Sequence, residues 1–164
     1  MRKYLTFPVF VVALVGCASS TEIRQTLENP LTGDGRVHRY MVDTLGNTTA
    51  DAPPHFVNAI KSYLEQDLRK RSMLSSEKEA PDRKVSIIVT SYRMRSGFTR
   101  QMFGIFAGKD GVDSTVDVVD ARTGKVVGSS TVSSYNVMAV GEQEDVARMH
   151  AEEIARFLSG EKAK

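Results

Sequence analysis

The side chains that most often perform catalysis are few in this chain and unfavourably spaced. A single cysteine, Cys17, excludes an internal disulfide and a cysteine-based metal cluster. Asp113 and Asp117 are about 13 Å apart on an extended strand, too far for two carboxylates to share a proton or a water molecule. The sequence contains no Gly-x-Ser-x-Gly nucleophile elbow, and a surface or packing role is expected for His38, His55 and His150. We therefore expect neither catalytic residues nor a bound metal.

The most unusual segment of the sequence runs from residue 96 to residue 111. It contains four glycines, two cations and three phenylalanines, whereas loops are usually polar. An exposed Phe or Ile side chain forgoes roughly 1.5–3 kcal/mol of burial free energy. The segment therefore either folds back over the core or contacts a partner. Its candidate partner-binding residues are Phe98, Arg100, Phe103, Gly104, Phe106, Gly108 and Lys109.

Part of this segment resembles a phosphate-binding loop without matching it. Such a loop has four residues between its glycines, then Lys and Ser or Thr, and a helix follows. Here three residues separate Gly104 from Gly108, and Asp110 follows Lys109. We therefore do not expect nucleotide binding. The glycine spacing also matches that of paired membrane helices, but no 20-residue apolar span surrounds it.

The beginning of the chain has the pattern of an export signal. Arg2 and Lys3 precede an uncharged apolar stretch over residues 4–16. This stretch is too short to cross a bilayer as a helix, which takes about 20 residues. A basic start followed by a short apolar region predicts a signal peptide over residues 1–16.

The end of this signal resembles the lipobox of bacterial lipoproteins in the residues Leu14-Val15-Gly16-Cys17. The resemblance implies that the Cys17 thiol accepts a diacylglycerol, becomes the new N-terminus and gains an N-acyl chain. No other cofactor is expected. Two or more acyl chains attach a protein stably to a membrane. An ordinary secreted protein with a chance cysteine and an uncleaved anchor are the alternatives.

The residue after the cysteine bears on where such a lipoprotein is sorted. In Gram-negative lipoproteins an aspartate there usually retains the protein at the inner membrane, and this chain has Ala18. The resemblance therefore favours the periplasmic face of the outer membrane, with exposure at the cell surface left open.

The charges of the mature chain are balanced. The sequence has 22 basic and 20 acidic residues, and removal of Arg2 and Lys3 with the signal leaves 20 of each. A neutral domain has no general electrostatic attraction for a polyanion. We therefore expect no nucleic-acid partner.

Hydrophobic periodicity and turn residues predict the folded part of the chain. Residues 17–35 begin with the lipidated N-terminus that the resemblance implies, and their polar, turn-rich composition predicts a flexible tether. A single α/β domain is expected over residues 36–164. Its predicted strands are 36–44, 84–94, 112–120 and 125–135, and its helices begin at about residues 53 and 141. Gly124 is expected to supply a positive φ in the turn between the last two strands.

The order β-α-β-β-β-α predicts an α+β fold. In such a fold two helices pack on one face of a small, mostly antiparallel sheet. The first helix carries an apolar stripe at Val57, Ile60, Leu64 and Leu68, and it ends in cations that favour the negative end of the helix dipole.

A second resemblance rests on the order of motifs along residues 56–158. The glycines and cations of the 96–111 segment lead into a strand over residues 116–120 and then into Asp120, Thr123, Gly124 and Lys125. This order resembles the signature of an uncharacterised family of bacterial envelope lipoproteins, with a Gly-Arg-Gly-Gly loop and an Asp-x-x-Thr-Gly-Lys turn. The resemblance implies a fold and no mechanism. The architecture is also similar to small modules of envelope accessory lipoproteins and oligomeric secretion channels.

These observations predict a non-catalytic, lipid-anchored module of the bacterial envelope that binds an unidentified envelope protein or another copy of itself. One alternative is a subunit of an oligomeric envelope channel or a secretion accessory. Another is a periplasmic enzyme whose site assembles only in the folded protein. A deep pocket with converging polar groups would favour the enzyme, whereas a shallow apolar patch around Phe103 and Phe106 would favour the binding module.

Overall fold

The computed structural model describes residues 19–25, 31, 36–47, 51–76, 78–94, 110–136 and 143–161. Within these residues the chain forms five strands and two helices. In chain order they are β1 (Ser19–Gln25), β2 (Tyr40–Asn47), α1 (Pro54–Lys70), β3 (Arg83–Arg93), β4 (Asp110–Asp120), β5 (Val126–Asn136) and α2 (Gln143–Ser159). The predicted order is confirmed, and the additional strand β1 precedes it. Neither of the described helices is long and apolar enough to span a bilayer.

The strands form one sheet in the order β1-β5-β4-β3-β2. All neighbouring strands are antiparallel except β2 and β3, which are parallel. The helices α1 and α2 pack against each other, with α2 over β4 and β5 and α1 beside β2. The predicted α+β class and the mostly antiparallel sheet are therefore confirmed.

Strand β1 lies inside the segment predicted to be a flexible tether. It pairs with β5 from Ser19 opposite Asn136 to Gln25 opposite Ser130. The prediction of a flexible tether is therefore wrong for residues 19–25. The reason is that β5 offers a free edge whose backbone groups can pair with any extended segment, and local sequence does not reveal such an edge.

The core lies between the helices and one face of the sheet. Alternate residues of β3, Val85, Ile87 and Val89, are fully buried, and the intervening Ser86 and Ile88 are partly exposed. The predicted stripe of α1 is buried together with Phe56. On α2 the buried residues include Ala147, Ala151, Ile154, Ala155 and Leu158, whose small members allow the helix to approach the sheet closely.

The turn between β4 and β5 has the predicted geometry. Asp120 accepts hydrogen bonds from the Thr123 backbone N–H at 2.7 Å and from the Thr123 hydroxyl at 2.8 Å. These bonds favour the carboxylate form and hold the pKa of Asp120 below its usual value. Gly124 has a φ of +70°, a conformation that glycine adopts without steric cost. The Asp-x-x-Thr-Gly residues thus have a local structural role.

Candidate functional site

One end of the sheet gathers the features that the sequence singled out, and we call it the loop end. It is the end at which β3 finishes at Arg93, β4 begins at Asp110 and β5 finishes at Asn136. The register joins Arg93 to Gly111 and Asp110 to Asn136. The opposite end of the sheet carries the turn between β4 and β5, and we call it the turn end.

The predicted binding residues themselves lie outside the described residues. The described chain leaves the sheet after Met94 and returns at Asp110, so both ends of the intervening segment lie at the loop end. These binding residues are Phe98, Arg100, Phe103, Gly104, Phe106, Gly108 and Lys109.

Cys17, the predicted lipidation site, also lies outside the described residues. Strand β1 begins at Ser19, which pairs with Asn136 at the loop end. The first described residue of the chain is therefore at the same end of the sheet as Met94 and Asp110.

A small cleft opens on the sheet at the loop end. Its volume is about 290 Å³, and it is lined by Ser91, Arg93, Gly111 and Tyr135. The Tyr135 ring lies across Gly111, because a Cβ on that glycine would be 2.4 Å from Tyr135 Cδ1. The Tyr135 hydroxyl donates a hydrogen bond of 2.8 Å to Asp113. Glycine at position 111 therefore has a packing role that its place at the end of the predicted loop did not reveal.

A larger cleft of about 450 Å³ lies where the two helices begin. It is lined by His55, Phe56, Ala59, Gln143 and Glu144. Its polar groups bond to one another or to neighbours: His55 Nε2 is 3.5 Å from Gln143 Oε1, and the Tyr63 hydroxyl donates to Glu144. That hydrogen bond raises the pKa of Tyr63. The cleft offers polar contacts for a ligand, but its described side chains do not form a nucleophile with an adjacent base.

The histidine with a perturbed pKa lies in the core and not in a cleft. His150 is fully buried on α2, with Ser114 Oγ 2.7 Å from its Nε2 and Ser134 Oγ 2.9 Å from its Nδ1. Burial lowers the pKa of His150 to about 4, and the charge of Asp113 opposes this only partly. A neutral imidazole donates from one nitrogen and accepts at the other, so both ring nitrogens are satisfied by the two serines. The sequence left a surface or a packing role open for His150, and the structure places it in the core, between two serines that were not foreseen.

Two further residues were missed by the sequence pattern. Arg83 at the turn end is 8% exposed, and Tyr135 at the loop end covers a glycine of the neighbouring strand. Alternation along β3 could have indicated that Arg83 shares the buried side of Val85 and Ile87.

Within the described ranges, no group of three or more His, Cys, Asp or Glu side chains is placed to hold a metal ion.

Solved structures with a similar fold come from bacteria. The PelC dodecamer from Paraburkholderia phytofirmans is 19% identical with a TM-score of 0.62, and the match covers 85% of this chain and 97% of that one. A protein from Xanthomonas campestris of the family model DUF330 is 11% identical with a TM-score of 0.50, over 74% of this chain and 84% of that one. At these identities the likeness concerns the fold alone.

A search of curated proteins finds no match to the chain. The model of one domain family covers residues 37–140, which is more than half of the sequence and includes β2 to β5. The chain therefore belongs to the family described as Domain of unknown function (DUF4410).

Proposed function

We propose that this chain is a non-catalytic, lipid-anchored assembly module of the bacterial envelope. Cys17 carries the lipid and attaches the domain to the periplasmic face of the outer membrane. The segment from residue 96 to residue 111 contacts an envelope protein or another copy of the chain. The observation that supports this most directly is the pairing of Ser19 with Asn136, at the end of the sheet where that segment leaves and returns.

This pairing has a consequence for how the domain would sit on a membrane. A fully flexible tether of 18 residues would average roughly 5–6 Å × √18, or about 23 Å. Because β1 begins at Ser19, only two residues, Cys17 and Ala18, would separate the lipid from the sheet, and the loop end would face the headgroups. The phenylalanines of the segment from residue 96 to residue 111 would then lie near the bilayer. There, contact with a membrane-bound partner would bury their side chains and gain the free energy that exposure forgoes.

The second candidate is a subunit of an oligomeric envelope channel or a secretion accessory. It is favoured by the likeness of the fold to that of PelC, which was solved as a dodecamer. Self-assembly and the first candidate are compatible, since the partner of the binding segment would then be a second copy. The enzyme alternative gains no support from the pairing of His55 with Gln143 in the larger cleft.

Replacement of Cys17 by serine tests the anchor. We expect Cys17→Ser to abolish labelling by a fatty-acid analogue and to leave the signal peptide uncleaved, because serine lacks the thiol that accepts the diacylglycerol. The readout is labelled protein and its mass in cells that export the full chain. Ser20→Ala is the matched control and should be labelled like the wild type. Undiminished labelling of Cys17→Ser would refute the lipid anchor.

Site-specific crosslinking tests the contact made by the binding segment. A photo-reactive residue at Phe103 in the lipidated protein is expected to capture a protein partner, whereas one at Lys125, exposed at the turn end, is not. Capture of a second copy, together with one uniform oligomeric mass in mild detergent, supports the channel-subunit candidate, and a monomeric mass removes it. Equal capture from both positions, or none from Phe103, contradicts the proposed contact.

A further inference from the structure

The small cleft at the loop end has a positive and a negative side chain beside it that do not pair with each other. Ser91 and Arg93 line the cleft from β3. The Tyr135 ring lines it from β5, beyond Gly111 of β4. Asp113 lies next to the cleft, because it is opposite Ser91 in the register and accepts the 2.8 Å hydrogen bond of the Tyr135 hydroxyl.

The cleft is on the face of the sheet opposite the helices. Ser114 contacts His150 of α2, and successive residues of a strand point to opposite faces, so Asp113 points away from the helices. Ser91 and Arg93 are both exposed. The cleft is therefore open to a ligand from solvent or from a surface that meets the loop end.

Neither of the two charges is neutralised by the described part of the protein. No described carboxylate forms an ion pair with Arg93, and no described cation forms one with Asp113. The Tyr135 hydroxyl is uncharged, so the hydrogen bond that it donates leaves the negative charge of Asp113 in place. A ligand in the cleft would therefore meet a cation on one side and an anion on the other.

The other acidic residues of this region lie farther away or on the other face. Asp117 follows Asp113 by four residues of β4, about 13 Å along the strand, and Glu22 is two strands from Asp113 in the register, about 10 Å. Asp110 is fully buried, on the side of the sheet that faces the helices. The charge beside the cleft is thus balanced, which disfavours a simple anion or cation and favours a zwitterion.

We propose that this cleft binds the zwitterionic phosphoethanolamine headgroup of a membrane lipid. The Arg93 guanidinium and the Ser91 hydroxyl donate hydrogen bonds to the phosphate, and the ammonium lies on the side of Asp113. The cleft of about 290 Å³ has room for this group, since a water molecule takes about 30 Å³ of liquid volume. The inference rests on the proposed function, in which the loop end faces the headgroups.

Thermal unfolding of the full-length protein in a non-ionic detergent tests the cleft with the deacylated headgroup, glycerophosphoethanolamine. The matched probe is glycerophosphoglycerol, which has the same phosphodiester but no ammonium, and ionic strength is held constant. With glycerophosphoethanolamine we expect a saturable rise in the wild-type Tm, roughly 3–6 °C at ten times the Kd, because a ligand that binds only the folded state stabilises it. A flat Tm, or an equal rise with glycerophosphoglycerol, overturns the proposal.

Two substitutions assign the two charges. Arg93→Gln should abolish the rise, whereas Arg122→Gln, at an exposed cation of the β4–β5 turn, should keep it. Asp113→Asn retains an oxygen for the Tyr135 hydroxyl but removes the charge, so the preference for glycerophosphoethanolamine over glycerophosphoglycerol should disappear. An unchanged rise in Arg93→Gln, or an unchanged preference in Asp113→Asn, contradicts the assignment.

Lipid nanodiscs show whether the headgroup comes from the membrane. The full-length, lipidated protein should have a higher Tm in discs of phosphatidylethanolamine and phosphatidylglycerol than in discs of phosphatidylglycerol alone, and Arg93→Gln should remove the difference. A rise with the soluble headgroup but no difference between the discs overturns the membrane lipid as the ligand. The soluble headgroup binds without the anchor, and labelling of Cys17→Ser does not involve the cleft, so failure of this inference is distinguishable from failure of the proposed function.

Discussion

Acidification from pH 7 to pH 4 is expected to remove roughly 3 kcal/mol of unfolding free energy through His150 alone. The pKa of this histidine is lowered to about 4 in the folded protein by burial, whereas an unfolded histidine titrates near 6.5. Between these two values the unfolded chain binds more protons than the folded one, so stability falls as the pH falls. Well above pH 6.5 the group is neutral in both states and contributes no pH dependence.

Protonation of His150 would also disrupt its hydrogen bonds. One of its two serine partners, Ser114 or Ser134, donates to the neutral ring, and an imidazolium has no lone pair to accept that bond. Urea unfolding at pH 7, 5.5 and 4.5 measures the effect. His150→Gln keeps polar atoms in place but does not titrate, so its stability should fall less steeply than that of the wild type.

A matched histidine variant makes the comparison specific. His55 is exposed where α1 begins, and His55→Gln should retain the pH dependence of the wild type. Since carboxylates titrate in the same range in all three proteins, the difference between the curves isolates His150. An identical pH dependence in His150→Gln and the wild type would show that the buried imidazole does not control acid stability.

The second large effect is expected at Gly111. A Cβ at this position would be 2.4 Å from Tyr135 Cδ1 and 2.8 Å from Tyr135 Cε1, so the tyrosine ring must move. Overpacking of this kind costs about 1–3 kcal/mol. The displaced ring also loses its hydrogen bond to Asp113, worth about 1 kcal/mol. We expect Gly111→Ala to lower the free energy of urea unfolding by the sum of these two costs, about 2–4 kcal/mol.

The tyrosine provides its own control. In a Tyr135→Ala background, Gly111→Ala should lower the free energy of unfolding much less, because the ring that the new Cβ would overlap is absent. Gly46→Ala is the matched control, since a Cβ at Gly46 meets no atom within 4 Å. An equal cost of Gly111→Ala with and without the tyrosine ring would disprove the packing role of Gly111.

The helices and the turn could be predicted because their patterns are local. The buried stripe of α1, with Ile60, Leu64 and Leu68, follows from side chains that recur every three or four residues on one helical face. The turn at Gly124 follows from side-chain bonds between residues three apart and from a backbone angle that only glycine adopts easily. Membership of a domain family of unknown function agrees with the resemblance drawn from the same region, although the loop motifs of that resemblance lie outside the described residues.

The candidate sites could be predicted only in part. The segment between Met94 and Asp110 was singled out from its glycines and phenylalanines, but nothing in its composition indicated that strand β1 would begin at the same end of the sheet. The contact between Arg83 and His38 was missed altogether. It joins residues 45 positions apart, and no local periodicity indicates such a pair.

The amino-acid sequence by itself determined the helices, the strand alternation, the β4–β5 turn and the prediction of export with a lipid on Cys17, since each of these depends on residues within a few positions of one another. Only the tertiary structure decided that Ser19 pairs with Asn136, that His150 lies between two serines and that Arg83 is buried in contact with His38. The physical reason is that strand pairing and burial depend on contacts between residues that are distant in the sequence. These contacts form only when the whole sheet folds.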